Sequence, residues 1–297
     1  MPPLLTMLSI TGLRKTYQGQ VHALKGVDLD VPSGMFGLLG PNGSGKTTLM
    51  KIVATLLEPD AGKVVMNGVD LVARKDQARR MLGYLPQEFG FYPTLTAEQT
   101  LDYLAKLKGV WEAKERRDLI GGLLERVNLS AQRNKRVGGF SGGMRQRLGI
   151  AQALISQPQL VIVDEPTAGL DPEERIRFHN LLSETLREGT VVILSTHIVS
   201  DVSNLCSHMA IIRAGKILAS CIPQQAVDEL KESIWEGTVA REAVSRVKAQ
   251  CNVVSSQTFN GHPRLRVISK RKRPSEEFVP AIPTLEDYYL SLVNQPT

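Results

Sequence analysis

The pattern of apolar and polar positions changes period several times along the chain. Residues 8–31 read as short strands, interrupted by a turn-like break at Tyr17–Gln20. Phe36–Leu39 is a short apolar run ending in Gly40, the pattern of a buried strand. Beyond Thr47 the period becomes helical, with Leu49, Ile52, Val53 and Leu56 on one face. Asn67-Gly68, at the end of the run from Val64, is a hairpin signal. Residues 75–82 read as helix and 83–86 as a strand end. The stretch 94–157 is rich in helical pattern, with Leu101, Leu104 and Leu107 marking one helix and Leu119, Leu123, Leu124 and Val127 another. Leu160–Val163, Val191–Leu194 and Met209–Ile212 are continuous apolar runs, as expected of parallel strands buried on both faces. Helical patterns lie between them, which predicts an α/β fold with a mostly parallel sheet and right-handed crossovers.

After residue 222 the texture changes. A short helix is expected within 242–250, and Phe259–Ile268 suggests a hairpin. The expected organisation is therefore an α/β domain over 1–221, with a helical subdomain at about 88–157, and a small α+β module over 222–297.

Composition narrows this picture only slightly. A chain of 297 residues, 42% apolar, can bury a sizeable core. The net charge of +6 fits many enzymes and selects no partner. Three cysteines, Cys206, Cys221 and Cys251, form no Cys-x-x-Cys pair, so neither a disulfide framework nor a zinc site is expected and a reducing cytoplasm is the natural setting. The first residues lack the charged and apolar segments of a signal peptide. No apolar run approaches the ~20 residues that span a bilayer, so any membrane link is expected through a partner.

The chemistry is carried by short motifs. Gly40, Pro41, Asn42, Gly43, Ser44, Gly45, Lys46 and Thr47, followed by Thr48, match the phosphate-binding loop in full. The glycines let backbone N–H groups converge on a phosphate chain, and the following helix adds its positive end. Lys46 is expected on the β- and γ-phosphates of a bound nucleotide, and Thr47 on Mg2+. Asp164 and Glu165 end a buried strand at the edge where α/β sheets bind ligands. Asp164 is expected to support Mg2+ and Glu165 to polarise the attacking water.

Ser141, Gly142 and Gly143 stand about two dozen residues before that acidic pair, at the expected start of a helix. Serine and two glycines at such a place form a second anion cradle. Here the sequence resembles the ABC ATPases, across residues 8–220. The resemblance implies a P-loop NTPase fold with an antiparallel β subdomain, a helical subdomain and a head-to-tail dimer, in which one subunit's signature caps the ATP held by the other. It implies further roles: Tyr17 against adenine, Gln87 at Mg2+ and water, Asp171 in the loop joining the two sites, and His197 at the γ-phosphate, 32 residues after Glu165. His22, His179, His208 and His262 are given no role. Phe140 and Met144 depart from the usual signature wording and match that of exporter-type subunits. Pro283–Tyr289 resembles the C-terminal segment of exporter ATPase subunits encoded apart from their permeases.

The implied function is an ATP-hydrolysing subunit of an ABC transporter. It would sit peripherally on the cytoplasmic face of the membrane, drive a separate permease, most naturally in export, and pair with a second ATPase subunit, a homodimer before a heterodimer, with no nucleic acid. The alternative is a soluble ABC ATPase acting on ribosomes or DNA, against which stand the single cassette and the lack of a heptad arm. A P-loop kinase or GTPase would explain neither Ser141-Gly142-Gly143 nor His197. Phe89, Phe91 and Tyr92 are read either as a socket for the permease or as local packing, and Lys270–Arg273 as a solvated loop or a contact to anionic lipid or to the partner.

Overall fold

The structure, a computed structural model, describes residues 6–167, 169–185, 189–270 and 273–294. Two twelve-residue strands, β1 (Thr6–Tyr17) and β2 (Val21–Pro32), pair antiparallel along their whole length. The sequence pattern had suggested several short strands here. The difference lies in bulges: the register shifts between Ile10 and Leu13, and Gly12 sits there at φ 60, so alternation breaks while pairing continues. Next, β3 (Gly34–Leu39) runs into the glycine loop and α1 (Lys46–Val53). The helix is shorter than its apolar period implied. It ends at Ala54, Thr55 takes φ 61, and Leu56 is turned out to solvent instead of continuing the buried face. Strands β4 (Ala61–Met66) and β5 (Val69–Asp70) are joined by Asn67 and Gly68, both at positive φ, as a tight hairpin requires. These strands complete a first sheet of order β2-β1-β4-β5.

Helix α2 (Lys75–Met81) leads into β6 (Leu82–Leu85). The helical block follows as α3 (Ala97–Leu107), α4 (Ala113–Arg126) and α5 (Gly142–Leu154). A capping box of Thr96 and Gln99 starts α3. Leu101 is buried, but Leu107, the last residue of α3, is 66% exposed. The chain then alternates β7 (Leu160–Asp164), α6 (Pro172–Thr185), β8 (Val191–Thr196), α7 (Val199–Leu205), β9 (His208–Arg213) and β10 (Lys216–Cys221). The second sheet has the order β10-β9-β3-β8-β7-β6, parallel throughout except for the edge strand β10.

The continuous apolar runs serve two cores. Leu160 and Ile162 of β7, and Val191 and Ile193 of β8, face a core shared with the first sheet and α1. Val161, Val163, Val192 and Leu194 face the opposite core, shared with the helical block, α6 and α7. Alternate residues of a strand point to opposite faces, so burial of both faces demands an unbroken apolar sequence.

Beyond β10, α8 (Pro223–Asp228) precedes a third, antiparallel sheet of order β12-β13-β11-β14. Its strands are β11 (Ile234–Thr238), β12 (Asn252–Phe259), β13 (His262–Ile268) and β14 (Phe278–Pro280), and α9 (Val244–Gln250) lies between the first two. The hairpin turn is Asn260-Gly261. This sheet has a small core of its own around Leu265, Val267 and Phe278. The last helix, α10 (Leu285–Val293), does not join that core; its Leu285 and Tyr289 enter the core of the central sheet. Of the basic run, residues 271 and 272 lie outside the described residues; the Arg273 guanidinium donates to the Phe278 carbonyl.

Candidate functional site

The glycine loop leaves the C-terminal edge of β3 and wraps the start of α1. Its shape rests on residues without side chains. Gly45 takes φ 109, and a Cβ there would stand 2.6 Å from the Ala23 carbonyl oxygen; a Cβ at Gly40 would stand 2.3 Å from that of Ile212. Both positions therefore require glycine. Lys46 is buried, and its ammonium donates to the Gly40 carbonyl at 2.7 Å and the Pro41 carbonyl at 3.2 Å. It also lies 3.3 Å from the Glu165 carboxylate.

Glu165 leaves the end of β7 in a left-handed conformation, φ 47, rare for a residue with a side chain. Its N–H donates to the Ser195 carbonyl of β8. Its carboxylate is held between Lys46 and the Nδ1 of His197, 3.0 Å away. His197 itself is partly open to solvent. The lysine, the carboxylate and the imidazole thus converge from three separate segments at one edge of the central sheet.

Asp164, one residue earlier, is fully buried, and neither of its carboxylate oxygens makes a well-formed hydrogen bond, although the Ser195 and Thr47 hydroxyls lie beside it. Burial pushes its carboxyl above the ordinary range, with the Glu165 charge acting in the same direction; the Ser195 and Thr47 hydroxyls and Lys46 oppose this. The Ser44 hydroxyl is likewise buried without a partner. Orphaned oxygens beside Thr47 suit a hard divalent cation, which is held by few protein oxygens together with phosphate and water. Among the described residues no cluster of three or more His, Cys, Asp or Glu side chains forms a self-sufficient metal site, so such a cation would need phosphate oxygens to complete its shell.

A cavity of about 400 Å3 brings most of the sequence-expected residues together: Tyr17, Asn42 to Thr48, Gln87 and Glu165 all line it. The Tyr17 hydroxyl lies 3.3 Å from that of Thr48, and 42% of this residue is exposed, leaving ring surface open to the cavity. Ser141, Gly142, Gly143 and Asp171 do not line it. Ser141 caps α5, its hydroxyl accepting from the Met144 N–H, and Asp171 caps the first turn of α6 by accepting from the Glu174 N–H. A second, shallower hollow is lined by Gly142, Leu170 and Gln87, so Gln87 borders both. Ala168 lies outside the described residues.

Sequence reasoning missed several residues. His22 lines the cavity beside Tyr17, its Nδ1 3.0 Å from the Thr16 hydroxyl. The register of the hairpin sets Thr16 opposite His22. His179, also left without a role, contacts the buried Asp201 at 3.0 Å. Phe89 and Phe91 are partly buried and pack edge-to-face against each other and the core, which is the local-packing reading; Tyr92 is exposed against Tyr103.

The comparisons with known proteins agree with this geometry. A family profile described as ABC transporter matches residues 24–168. A Nod factor export ATP-binding protein I of Rhizobium sp. (strain N33) is 32% identical over 97% of this chain and 97% of its own. A phosphonates import ATP-binding protein of Alcaligenes faecalis is 40% identical over 75% of this chain and 85% of its own. The solved dimeric structure of an ATP-binding cassette in a post-hydrolysis state, bound to ADP and Pi, matches with a TM-score of 0.65 and 27% identity over 73% of this chain and 98% of its own. With its phosphate loop, paired acids and serine-glycine helix start in one cassette, the chain belongs to the family of ABC transporter ATP-binding proteins and is an ABC ATPase.

Proposed function

We propose that this chain hydrolyses ATP with Mg2+ as one half of a dimer and drives a separate membrane permease, in the direction of export. The observation that carries the reading is the separation of two anion cradles: the phosphate loop lines the cavity with Glu165, while Ser141, Gly142 and Gly143 open a helix outside it. A single γ-phosphate cannot use both within one chain, so the second cradle serves ATP held by a partner subunit, in the simplest case an identical copy.

Within that reading Tyr17 stacks on adenine. The N–H groups of the loop and Lys46 take the phosphates. Lys46 then exchanges its carbonyl and carboxylate contacts for phosphate oxygens. Asp164, Thr47 and Gln87 would hold Mg2+, which supplies charge neutralisation across the β- and γ-phosphates. Glu165 accepts a hydrogen bond from the attacking water, and His197 holds both Glu165 and the γ-phosphate. Asp171 lies in the loop between the two sites. The γ-phosphoryl group passes to water and the bond to the β-phosphate breaks, leaving ADP and phosphate.

For the membrane partner, three observations support the reading. No helix among the described residues is long and apolar enough to cross a bilayer. Leu56 and Leu107, both turned outward, line a cavity of about 330 Å3 with Tyr84 and Leu104, an apolar face available to a partner. The Nod factor export relative aligns through the C-terminal module as well as the cassette, whereas the phosphonate import relative aligns over 75% of the chain. The chain would then sit peripherally on the membrane. A tagged pull-down from detergent-solubilised native membranes tests this. One polytopic protein recovered in stoichiometric amount supports the reading; recovery of ribosomal or DNA-bound machinery alone overturns it.

A further inference from the structure

The segment 165–167 is fixed at three points. The Glu165 N–H donates to Ser195 of β8 at 2.9 Å, the Pro166 carbonyl accepts from the Gln146 side chain of α5 at 2.6 Å, and the Thr167 hydroxyl donates to Asp201 of α7 at 2.7 Å. Asp201 has no solvent exposure. Every group around it comes from an element next to the site. Besides Thr167, the Thr196 hydroxyl approaches it at 3.3 Å from the residue before His197. From α6, Arg175 donates through Nε at 2.7 Å, and His179 lies 3.0 Å away. Arg175 also reaches the Ser200 hydroxyl, and Thr196 accepts from the Ile198 N–H, so the turn holding His197 is tied into the same network.

A carboxylate without water normally returns to its neutral form. Here burial pushes the Asp201 carboxyl upward, but the neighbouring His179, Thr167 and Arg175 outweigh it and hold the group below the ordinary carboxylate range. It therefore remains an anion with its acceptor sites filled. A left-handed backbone at a residue with a side chain is strained and persists only where its surroundings over-determine it. Glu165 is such a residue, and the contacts at 165–167 are what over-determines it.

We propose that Asp201 is a positioning residue: through Thr167 and Thr196 it holds Glu165 and His197 in one fixed relation and, through Arg175, ties that pair to the loop carrying Asp171. Asp201 touches neither nucleotide nor water. It acts on the rate by keeping the Glu165 carboxylate aimed between Lys46 and His197. The inference rests on the catalytic reading of Glu165 given above.

Thr167→Val tests it, since the change removes the hydroxyl and keeps the side-chain shape. Misplacing a catalytic group by about 1 Å costs about 100-fold in rate, so kcat should fall about 10- to 100-fold while the KM for ATP stays within about twofold. Thr167→Ser, which restores the hydroxyl, should recover most of the loss. In a Glu165→Gln background Thr167→Val should add nothing further, because its effect runs through Glu165. A wild-type kcat for Thr167→Val, or equal losses with and without Glu165, overturns the proposal. If instead Glu165→Gln itself hydrolyses ATP at the wild-type rate, the catalytic reading of Glu165 falls, and the proposal with it. A lower melting temperature for Thr167→Val with KM and kcat both unchanged would reduce Asp201 to a structural role and also overturn it.

Discussion

Glu165→Gln separates binding from chemistry most cleanly. The glutamine keeps the volume of the side chain and one oxygen able to accept from Lys46 or His197, so the edge of the sheet should keep its shape. What is lost is the negative charge. A positioned general base contributes about 100- to 10,000-fold to rate, which converts to about 3–5 kcal/mol of barrier. Turnover should fall by that factor. Binding should move the other way. Lys46 lies 3.3 Å from the carboxylate, which competes with phosphate for the ammonium. At an effective dielectric of about 20 that attraction is about 5 kcal/mol gross, most of it offset by desolvation of two buried charges. Removing the carboxylate leaves Lys46 with only its two carbonyl contacts to give up, so the Kd for ATP should hold or tighten. Phosphate release gives the rate, equilibrium titration with a fluorescent ATP analogue gives the Kd, and gel filtration with ATP should show a dimer that no longer dissociates. A mutant with the wild-type rate would refute the role of Glu165. A mutant that binds ATP more weakly would refute the competition for Lys46.

Other expectations follow from the same contacts. Ser141→Arg should abolish hydrolysis without weakening ATP binding to the monomer, measured by titration below the dimerisation concentration; weaker monomer binding would mean that the cradle serves its own chain. Asp164→Asn should raise the melting temperature of the metal-free protein while removing the Mg2+ dependence of ATP binding. The sign follows from burial: the folded carboxyl titrates above its unfolded value, so its favourable contribution is present at low pH and lost as pH rises through the folded value. Asp287→Ala should destabilise the fold by about 3–5 kcal/mol, the cost of breaking a buried ion pair, read by chemical denaturation. Asp287 accepts from both Nε and Nη2 of Arg266 on β13 and from the Thr284 N–H and hydroxyl at the start of α10. Burial pushes its carboxyl up, but Arg266 and Thr284 hold it below the ordinary range, so this stabilisation is present above the unfolded carboxylate pKa and lost as pH falls through the folded value.

The central sheet was legible because burial on both faces leaves no room for polar residues. The apolar runs at Leu160–Val163, Val191–Leu194 and Met209–Ile212 all became parallel strands. The phosphate loop was legible because close backbone approach restricts Gly40 and Gly45 to one residue type. Boundaries were less so. Leu56 kept the helical period of α1, yet Thr55 had already turned the chain, and a period carries no information about where hydrogen bonding stops. The twelve-residue strands β1 and β2 were read as fragments because a bulge shifts the alternation without ending the ladder.

The polar network around Asp201 was not legible at all, and the reason is physical. Asp201 and His179 stand on helices whose polar residues mostly face water, and nothing in a sequence separates a solvated carboxylate from a buried one. Only tertiary packing places α6 and α7 side by side behind the strand ends that carry Glu165 and His197. The same core also seats the C-terminal segment. Helix α10, capped by Thr284 and pinned to β13 through Asp287 and Arg266, enters the core that also holds Val202, the residue after Asp201. A segment that resembles exporter subunits by its Pro-Thr-Leu-Glu-Asp wording thus uses its threonine and aspartate as a cap and a latch. That latch joins the third sheet to the core in which α7 is seated.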